Sequence, residues 1–201
     1  MGDNEVTVHI VDDDAAVRDS LTLLLRTVGL PSRAYASGDE FLSAYTPRRV
    51  ECLVADIRMP GLSGIELQQE LAERHVEIPI IFITGHGDIP MAVKAMKSGA
   101  VDFIQKPFRD QDLLDRIHEA LQIARSSQDA RLETTTIQER VSTLTPRERE
   151  VMDKVVKGCA NKVIAMDLGV SQRTVELHRA RVMQKMRARS LAELVRLAQK
   201  V

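Results

Sequence analysis

Five side chains suited to phosphoryl chemistry stand directly after short apolar runs in the first half of this chain. Asp12 and Asp13 follow Val8-His9-Ile10-Val11, and Asp56 follows Cys52-Leu53-Val54-Ala55. Thr84 follows Ile80-Ile81-Phe82-Ile83, and Lys106 follows Phe103-Ile104-Gln105. Carboxylates are what a hard cation such as Mg²⁺ takes, usually one or two together with waters and a phosphate oxygen. Asp13 and Asp56 are expected as direct ligands, with Asp12 beside them directly or through water, and the backbone carbonyl of Arg58 as a further oxygen. A carboxylate also attacks phosphorus without help from a general base, so Asp56 is the candidate nucleophile. Lys106 and the cation would offset charge on the transferred oxygens, where catalysis of phosphoryl transfer resides. Thr84 could donate a hydrogen bond to a phosphoryl oxygen. The competing explanation is that such carboxylates cap the helices that follow, and for Asp14 and Asp88 it is the better one. Capping gives no role to Lys106, so the set reads as a phosphoryl pocket.

Residues this far apart converge only if the elements that carry them are neighbours. Short apolar runs alternating with amphipathic stretches of helical length predict parallel strands joined by helices. In such sheets ligands bind at the carboxyl ends of the strands. Strands are expected at about 7–13 and 32–36, up to 56, and at about 79–84 and 102–105. Helices are expected between them and from near 109, the first ending at Gly29, where a left-handed residue is needed. The expected fold is therefore α/β, a flavodoxin-like, doubly wound, five-stranded parallel sheet over 1–125, with helices on both faces. Residues 126–140 change to a polar character without Gly or Pro and read as a linker, part of it a continuation of the preceding helix. A small all-α module follows over 141–201.

The chain has 201 residues, 44% hydrophobic and 28% charged, which excludes gross disorder. No apolar stretch approaches the roughly 20 residues that span a membrane, and the first residues are too polar for a secretory signal. A cytoplasmic protein with no membrane partner is expected. Cys52 and Cys159 lack metal-ligand spacing and read as reduced thiols, Cys52 in the core. The net charge of −1 hides a division: residues 142–201 carry +7 and residues 1–141 carry −8. A basic module on an acidic one points to a polyanion, although a solvated charged surface would look the same.

From Leu144 the pattern is helical. Thr145-Pro146-Arg147-Glu148 has capping-box spacing with Pro at the first helical position, and Ser190 to Glu193 repeats the spacing. Helices are expected from Pro146 to near Gly158, over about 161–168 and, after a turn at Gly169 and a cap at Ser171, to about 187. Two short helices joined at a glycine turn, the second one basic, match helix-turn-helix spacing. At about 100° per residue, Val175, Val182 and Met186 form one narrow stripe of that second helix. Arg173, Glu176, Leu177, Ala180, Arg181 and Gln184 lie opposite, flanked by His178, Arg179 and Lys185. Arg181 suits guanine or phosphate, Glu176 cytosine, and Leu177 a thymine methyl. Asn161 and Lys162 would reach phosphates at the start of the preceding helix. A helical bundle for protein contacts is the alternative.

At these residues two family resemblances emerge. Val11-Asp12-Asp13-Asp14, Asp56-Ile57-Arg58-Met59-Pro60-Gly61, Thr84-Gly85-His86-Gly87-Asp88 and Lys106-Pro107-Phe108 resemble the receiver domain of two-component response regulators, from residue 5 to about 125. The resemblance implies a sensor histidine kinase as phosphodonor to Asp56 and an acidic Mg²⁺ pocket of Asp12, Asp13 and Asp56. It also implies switch roles for Thr84 and Phe103, pairing of Lys106 with the phosphate, and a cis Lys106–Pro107 peptide. It points to the fourth helix and fifth strand for dimerisation on phosphorylation, although Met91, Val93 and Met96 also suit a core. His86 is either a modulator at the pocket rim or an ordinary loop histidine. The stretch from Leu144 to Val151, Asn161-Lys162-Val163-Ile164-Ala165, the run from Val170 to Arg179 and the tail from Lys185 to Leu194 resemble the LuxR-type helix-turn-helix domain, over about 138–201. That resemblance makes the third helix of the module the recognition helix, includes Thr174 among the DNA contacts, and gives the fourth helix a dimer contact. Receiver plus this output domain is the NarL/FixJ arrangement, and Gly85 to Val93 is especially similar to its FixJ members. Such a regulator binds paired promoter half-sites in double-stranded DNA, with RNA polymerase as a further partner. Two other readings remain: a phosphotransferase or hydrolase acting on small metabolites, and an adaptor whose basic tail binds protein. The first would place a second acid two residues past Asp56, where Arg58 stands.

Overall fold

The computed structural model describes residues 6–85 and 89–200, apart from the side chains of Ile89 and Ala92. The chain divides into two compact units, Met1–Gln128 and Asp129–Val201.

In the first unit β1 (Val6–Val11), β2 (Ser32–Tyr35), β3 (Val50–Asp56), β4 (Ile80–Thr84) and β5 (Asp102–Gln105) form one parallel sheet in the order β2-β1-β3-β4-β5. Side chains alternate between the two faces of a strand, and here both faces are covered. Val8, Ile10, Cys52, Val54, Ile81 and Ile83 pack with α1 (Ala15–Thr27) and the first part of α5 (Asp110–Ser142). Val11, Leu53, Ala55, Ile80 and Phe82 pack with α2 (Gly38–Ala44), α3 (Gly64–Glu73) and α4 (Ile89–Lys97). Burial on both sides is why these strands read as unbroken apolar runs rather than as alternating ones. Cys52 lies in this core as expected, and burial pushes its thiol far above the ordinary range. On α4, Met91 is half-buried against the core while Val93 and Met96 are exposed.

The second unit holds the end of α5 and four helices: α6 (Pro146–Val156), α7 (Asn161–Leu168), α8 (Gln172–Met186) and α9 (Leu191–Ala198). Their shared core contains Val151, Ile164, Val175, Val182, Met186 and Leu194. Thr145 and Glu148 form the reciprocal capping box, with Pro146 at the start of α6. Gly169 closes α7 at φ 64°, a left-handed turn that costs glycine little. At α9 Ser190 caps Glu193, but the Glu193 carboxylate accepts from Arg189 N–H rather than from Ser190.

The segment 126–140, expected as a linker that in part continues the preceding helix, is helical throughout, as part of α5. Without Gly or Pro nothing interrupts the backbone ladder. Its polarity reflects exposure, since no residue between Leu121 and Ile137 is buried, while Ile137 and Val141 belong to the second core. No helix among the described residues is long and apolar enough to cross a membrane.

Candidate functional site

β1 and β3 pair in the register Val11 to Ala55, so the residues just past that pair lie side by side. This is also where the strand order reverses direction, the point at which a doubly wound sheet opens a crevice at its carboxyl edge. Asp12, Asp13 and Asp56 each place a carboxylate oxygen within 4.8 Å of the others. Asp12 is buried, Asp13 exposed and Asp56 half-buried. Lys106, just past β5, donates from Nζ to Asp12 Oδ2 at 2.9 Å and to Asp56 Oδ2 at 2.6 Å. The second oxygen of each acid is held by an amide two residues on: Asp14 N–H donates to Asp12 Oδ1 and Arg58 N–H to Asp56 Oδ1, both at 2.9 Å.

The electrostatics follow from this crowding. Burial pushes the Asp12 carboxyl above its ordinary range, and the charge on Asp56 acts in the same direction, against the hydrogen bonds from Lys106 and Asp14. At Lys106 burial opposes the charge, but the bonds to Asp56 and Asp12 outweigh it and raise the pKa. An acidic, all-oxygen donor set fits a hard divalent cation such as Mg²⁺ rather than a soft metal.

Thr84 is buried at the end of β4, where its hydroxyl donates to Gly85 O at 3.3 Å. Lys106 N–H donates to Thr84 O at 2.7 Å, tying the end of β5 to β4, and the Lys106–Pro107 peptide is cis. Phe103 lies opposite Phe82 in the sheet and packs half-buried against the core. Asp14 caps α1 by accepting from Ala16 N–H, as its position implies. His86 and Asp88 lie outside the described residues. Two neighbours escaped the sequence reading. Gly64 opens α3 against the backbone of Asp56. Arg18 Nη1 donates to Asp12 O at 2.7 Å, and its place in the first turn after the Asp14 cap was its only signal.

In the second unit Val175, Val182 and Met186 are buried, and Arg173, Glu176, Leu177, Ala180, Arg181 and Gln184 are exposed on the opposite face of α8. Two of the three flanking residues, Arg179 and Lys185, are engaged within the unit. Arg179 donates to Asn161 Oδ1 at 2.6 Å, and among the described residues the buried Nδ1 of His178 has no hydrogen-bond partner. Lys162 is exposed and Thr174 half-buried. Lys185, expected beside the exposed face, instead donates to Thr143 O at 2.9 Å and to Glu148 Oε2 at 2.6 Å. The same Glu148 oxygen accepts from Thr145 N–H. Lys185 thereby joins the capping box of α6 to α8, a contact that spacing along α8 could not reveal.

Hydrogen bonding to Lys185 holds the buried Glu148 carboxyl below its ordinary value, with Thr145 N–H adding to the effect. A lowered folded-state pKa contributes stability that is present above the unfolded value of 4.5 and is lost as pH falls through the folded one. Lys185→Met should therefore cost about 1–3 kcal/mol at neutral pH by leaving a buried carboxylate without its charged partner. It should also flatten the loss of stability below pH 4.5. Thermal melting of both proteins across pH tests this, and parallel curves would refute it.

Known proteins bear on both sites. The response regulator receiver domain matches residues 8–118, and the luxR family of bacterial regulatory proteins matches residues 142–198. The chain is 50% identical over 192 residues to nodulation protein W of Bradyrhizobium diazoefficiens, covering 96% of this chain and 85% of that protein. It is 47% identical over 194 residues to the transcriptional regulatory protein FixJ of Rhizobium meliloti, covering 96% and 95%. Among solved structures it resembles the response regulator StyR, with TM-score 0.88 and 46% identity over 98% of this chain and 100% of that one. Full-length FixJ from B. japonicum gives TM-score 0.60 and 45% identity over 96% of each chain.

Proposed function

Because this chain belongs to the two-component response regulators that join a receiver to a LuxR-type DNA-binding domain, we propose that a sensor histidine kinase phosphorylates Asp56 and that the phosphorylated protein dimerises on promoter DNA. The observation that carries this reading is Lys106 lodged between Asp12 and Asp56 within a cluster of strand-end carboxylates. An oxygen of Asp56 forms the new bond to phosphorus as the phosphorus–nitrogen bond of the phosphohistidine breaks, and the imidazole leaves with the electron pair. No proton has to be removed from the nucleophile. Lys106 exchanges its Asp56 partner for a phosphoryl oxygen and keeps its charge compensated. The Thr84 hydroxyl turns from Gly85 O to another phosphoryl oxygen, and Phe103 follows inward. Asp12, Asp13, Asp56 and the carbonyl of Arg58 would hold Mg²⁺, which supplies charge neutralisation on the transferred oxygens. With Arg58 in place of a second acid, the phosphorylated aspartate serves as a signal rather than as an intermediate to be turned over.

The signal biases a two-state element, for which the exposed Val93 and Met96 on α4 offer a dimer surface. In this reading the receiver covers 1–125, helical residues 126–140 connect it, and the output domain covers 141–201. Arg173, Thr174, Glu176, Leu177 and Arg181 meet base edges, and Lys162 meets phosphate. His178, the Asn161–Arg179 pair and Lys185 act at the margins, where they support the helix that reads. RNA polymerase is the further partner, and the protein acts in the cytoplasm.

Sedimentation with and without beryllofluoride and Mg²⁺ tests the dimer, and fluorescence anisotropy with promoter DNA tests the output. We expect a doubled mass, tighter DNA binding in the beryllofluoride form, and binding that weakens steeply with salt. An unchanged mass would remove dimerisation from the mechanism.

A further inference from the structure

We propose that Arg18 is a positioning residue of the phosphoryl pocket, holding the Asp12–Asp13 peptide so that the Asp13 carboxylate stays with those of Asp12 and Asp56. This rests on the reading of Asp56 as the phosphorylation site and concerns how its acidic neighbours are kept in place.

The three carboxylates are not held alike. Asp12 and Asp56 each accept from an amide two residues on and from Lys106. Asp13 has neither support: its side chain is exposed and makes no hydrogen bond among the described residues. Its direction is left to the backbone, which is held after Asp13 by Asp14 N–H donating to Asp12 Oδ1 and before it by Arg18 donating to Asp12 O. Arg18 N–H donates to Asp14 O, which places Arg18 in the first turn of α1. Helical side chains lean toward the N-terminus. The guanidinium thus returns over that turn to the end of β1, where Nη1 meets Asp12 O at 2.7 Å. A peptide is planar, so holding the Asp12 carbonyl also orients the amide of Asp13 and the bond to its Cα. Asp12 lies one residue past the end of β1; its N–H donates to Tyr35 O at 3.3 Å, and its carbonyl accepts from Arg18.

Charge gives this proposal a rival with the opposite sign. A guanidinium beside the pocket repels a cation, so if Arg18 acted through charge alone, its removal would tighten Mg²⁺ binding. If it positions Asp13, removal loosens the site. Arg18→Met keeps the apolar stem and removes donor and charge, while Arg18→Lys restores both.

The test is Mg²⁺ titration by calorimetry on the full chain, with labelling from acetyl phosphate in parallel. We expect Mg²⁺ to bind about tenfold more weakly to Arg18→Met, the scale of one charge-assisted hydrogen bond. Arg18→Lys should recover to within about threefold of the parent, and saturating Mg²⁺ should restore much of the labelling rate of Arg18→Met. Unchanged or tighter Mg²⁺ binding by Arg18→Met overturns the proposal. So does a uniform loss of hydrogen-exchange protection along α1 in Arg18→Met with no recovery of Mg²⁺ affinity in Arg18→Lys, which marks a purely structural role. An unlabelled parent protein overturns the reading of Asp56 itself, whereas a labelled parent with an indistinguishable Arg18→Met removes only Arg18.

Discussion

Asp56→Asn should take up no phosphoryl group from acetyl phosphate or from a phosphorylated kinase, and its DNA affinity should stay at the unphosphorylated level with or without a donor. The substitution is nearly isosteric, so the fold and the bond from Arg58 N–H should survive. What is lost is the anionic oxygen that attacks phosphorus; a neutral amide is a poor nucleophile toward it. The expected fall in labelling rate is on the order of 10³-fold or more, the usual consequence of removing a nucleophile. Lys106 also loses its 2.6 Å ion pair but keeps Asp12 at 2.9 Å, so the lysine stays in the pocket. Mass spectrometry of the intact protein after incubation with acetyl phosphate and Mg²⁺ reads the result. Labelling of Asp56→Asn at the parent rate would place the phosphoryl group on another residue and sink the assignment.

Gly64→Ala should destabilise the first unit and slow phosphorylation together. Gly64 is the first residue of α3, and its N–H donates to Ile57 O at 3.0 Å, so the helix starts hard against the end of β3. A methyl group there would collide with the carbonyl oxygen of Asp56 and lie 3.0 Å from a ring carbon of Phe82. The first obstacle is backbone and the second is a fully buried ring, so neither can yield cheaply. Overpacking of this kind costs about 1–3 kcal/mol, and the backbone clash places this case toward the upper end. Because the displaced atoms belong to Asp56, the carboxylate moves with them. Gly99→Ala is the control: Gly99 has φ 93° and open space around a built Cβ, so its cost should be backbone strain of about 1 kcal/mol with labelling intact. Urea unfolding and acetyl phosphate labelling separate the two variants. Equal stability losses with full labelling in both would show that the α3 junction does not position Asp56.

Much of the site was legible before the fold. Asp12, Asp13, Asp56, Thr84 and Lys106 each end an apolar run, and strand ends are where a parallel sheet presents its ligands. The caps at Asp14, Thr145 and Ser171 were legible for a similar reason, since a cap and its amide lie within three residues. Segment 126–140 was legible as a polar stretch without Gly or Pro, but its being helical throughout was not, because an exposed helix is as polar as a loop. Gly64 and Arg18 were passed over because their significance lies in what they touch.

The sequence by itself determined the elements, the chemistry at their ends and the separation of an acidic from a basic half, since capping, periodicity and charge are local properties of the chain. Only the tertiary structure decided which ends meet. Strand order and register place Asp12 beside Asp56, and the closure of β5 on β4 brings Lys106 between them from 50 and 94 residues away. The same holds in the second unit, where Lys185 and Arg179 look like free cations along α8 but are held by Glu148 and Asn161. Contacts across such separations depend on how whole faces pack, and a residue's near neighbours in the chain carry no record of that.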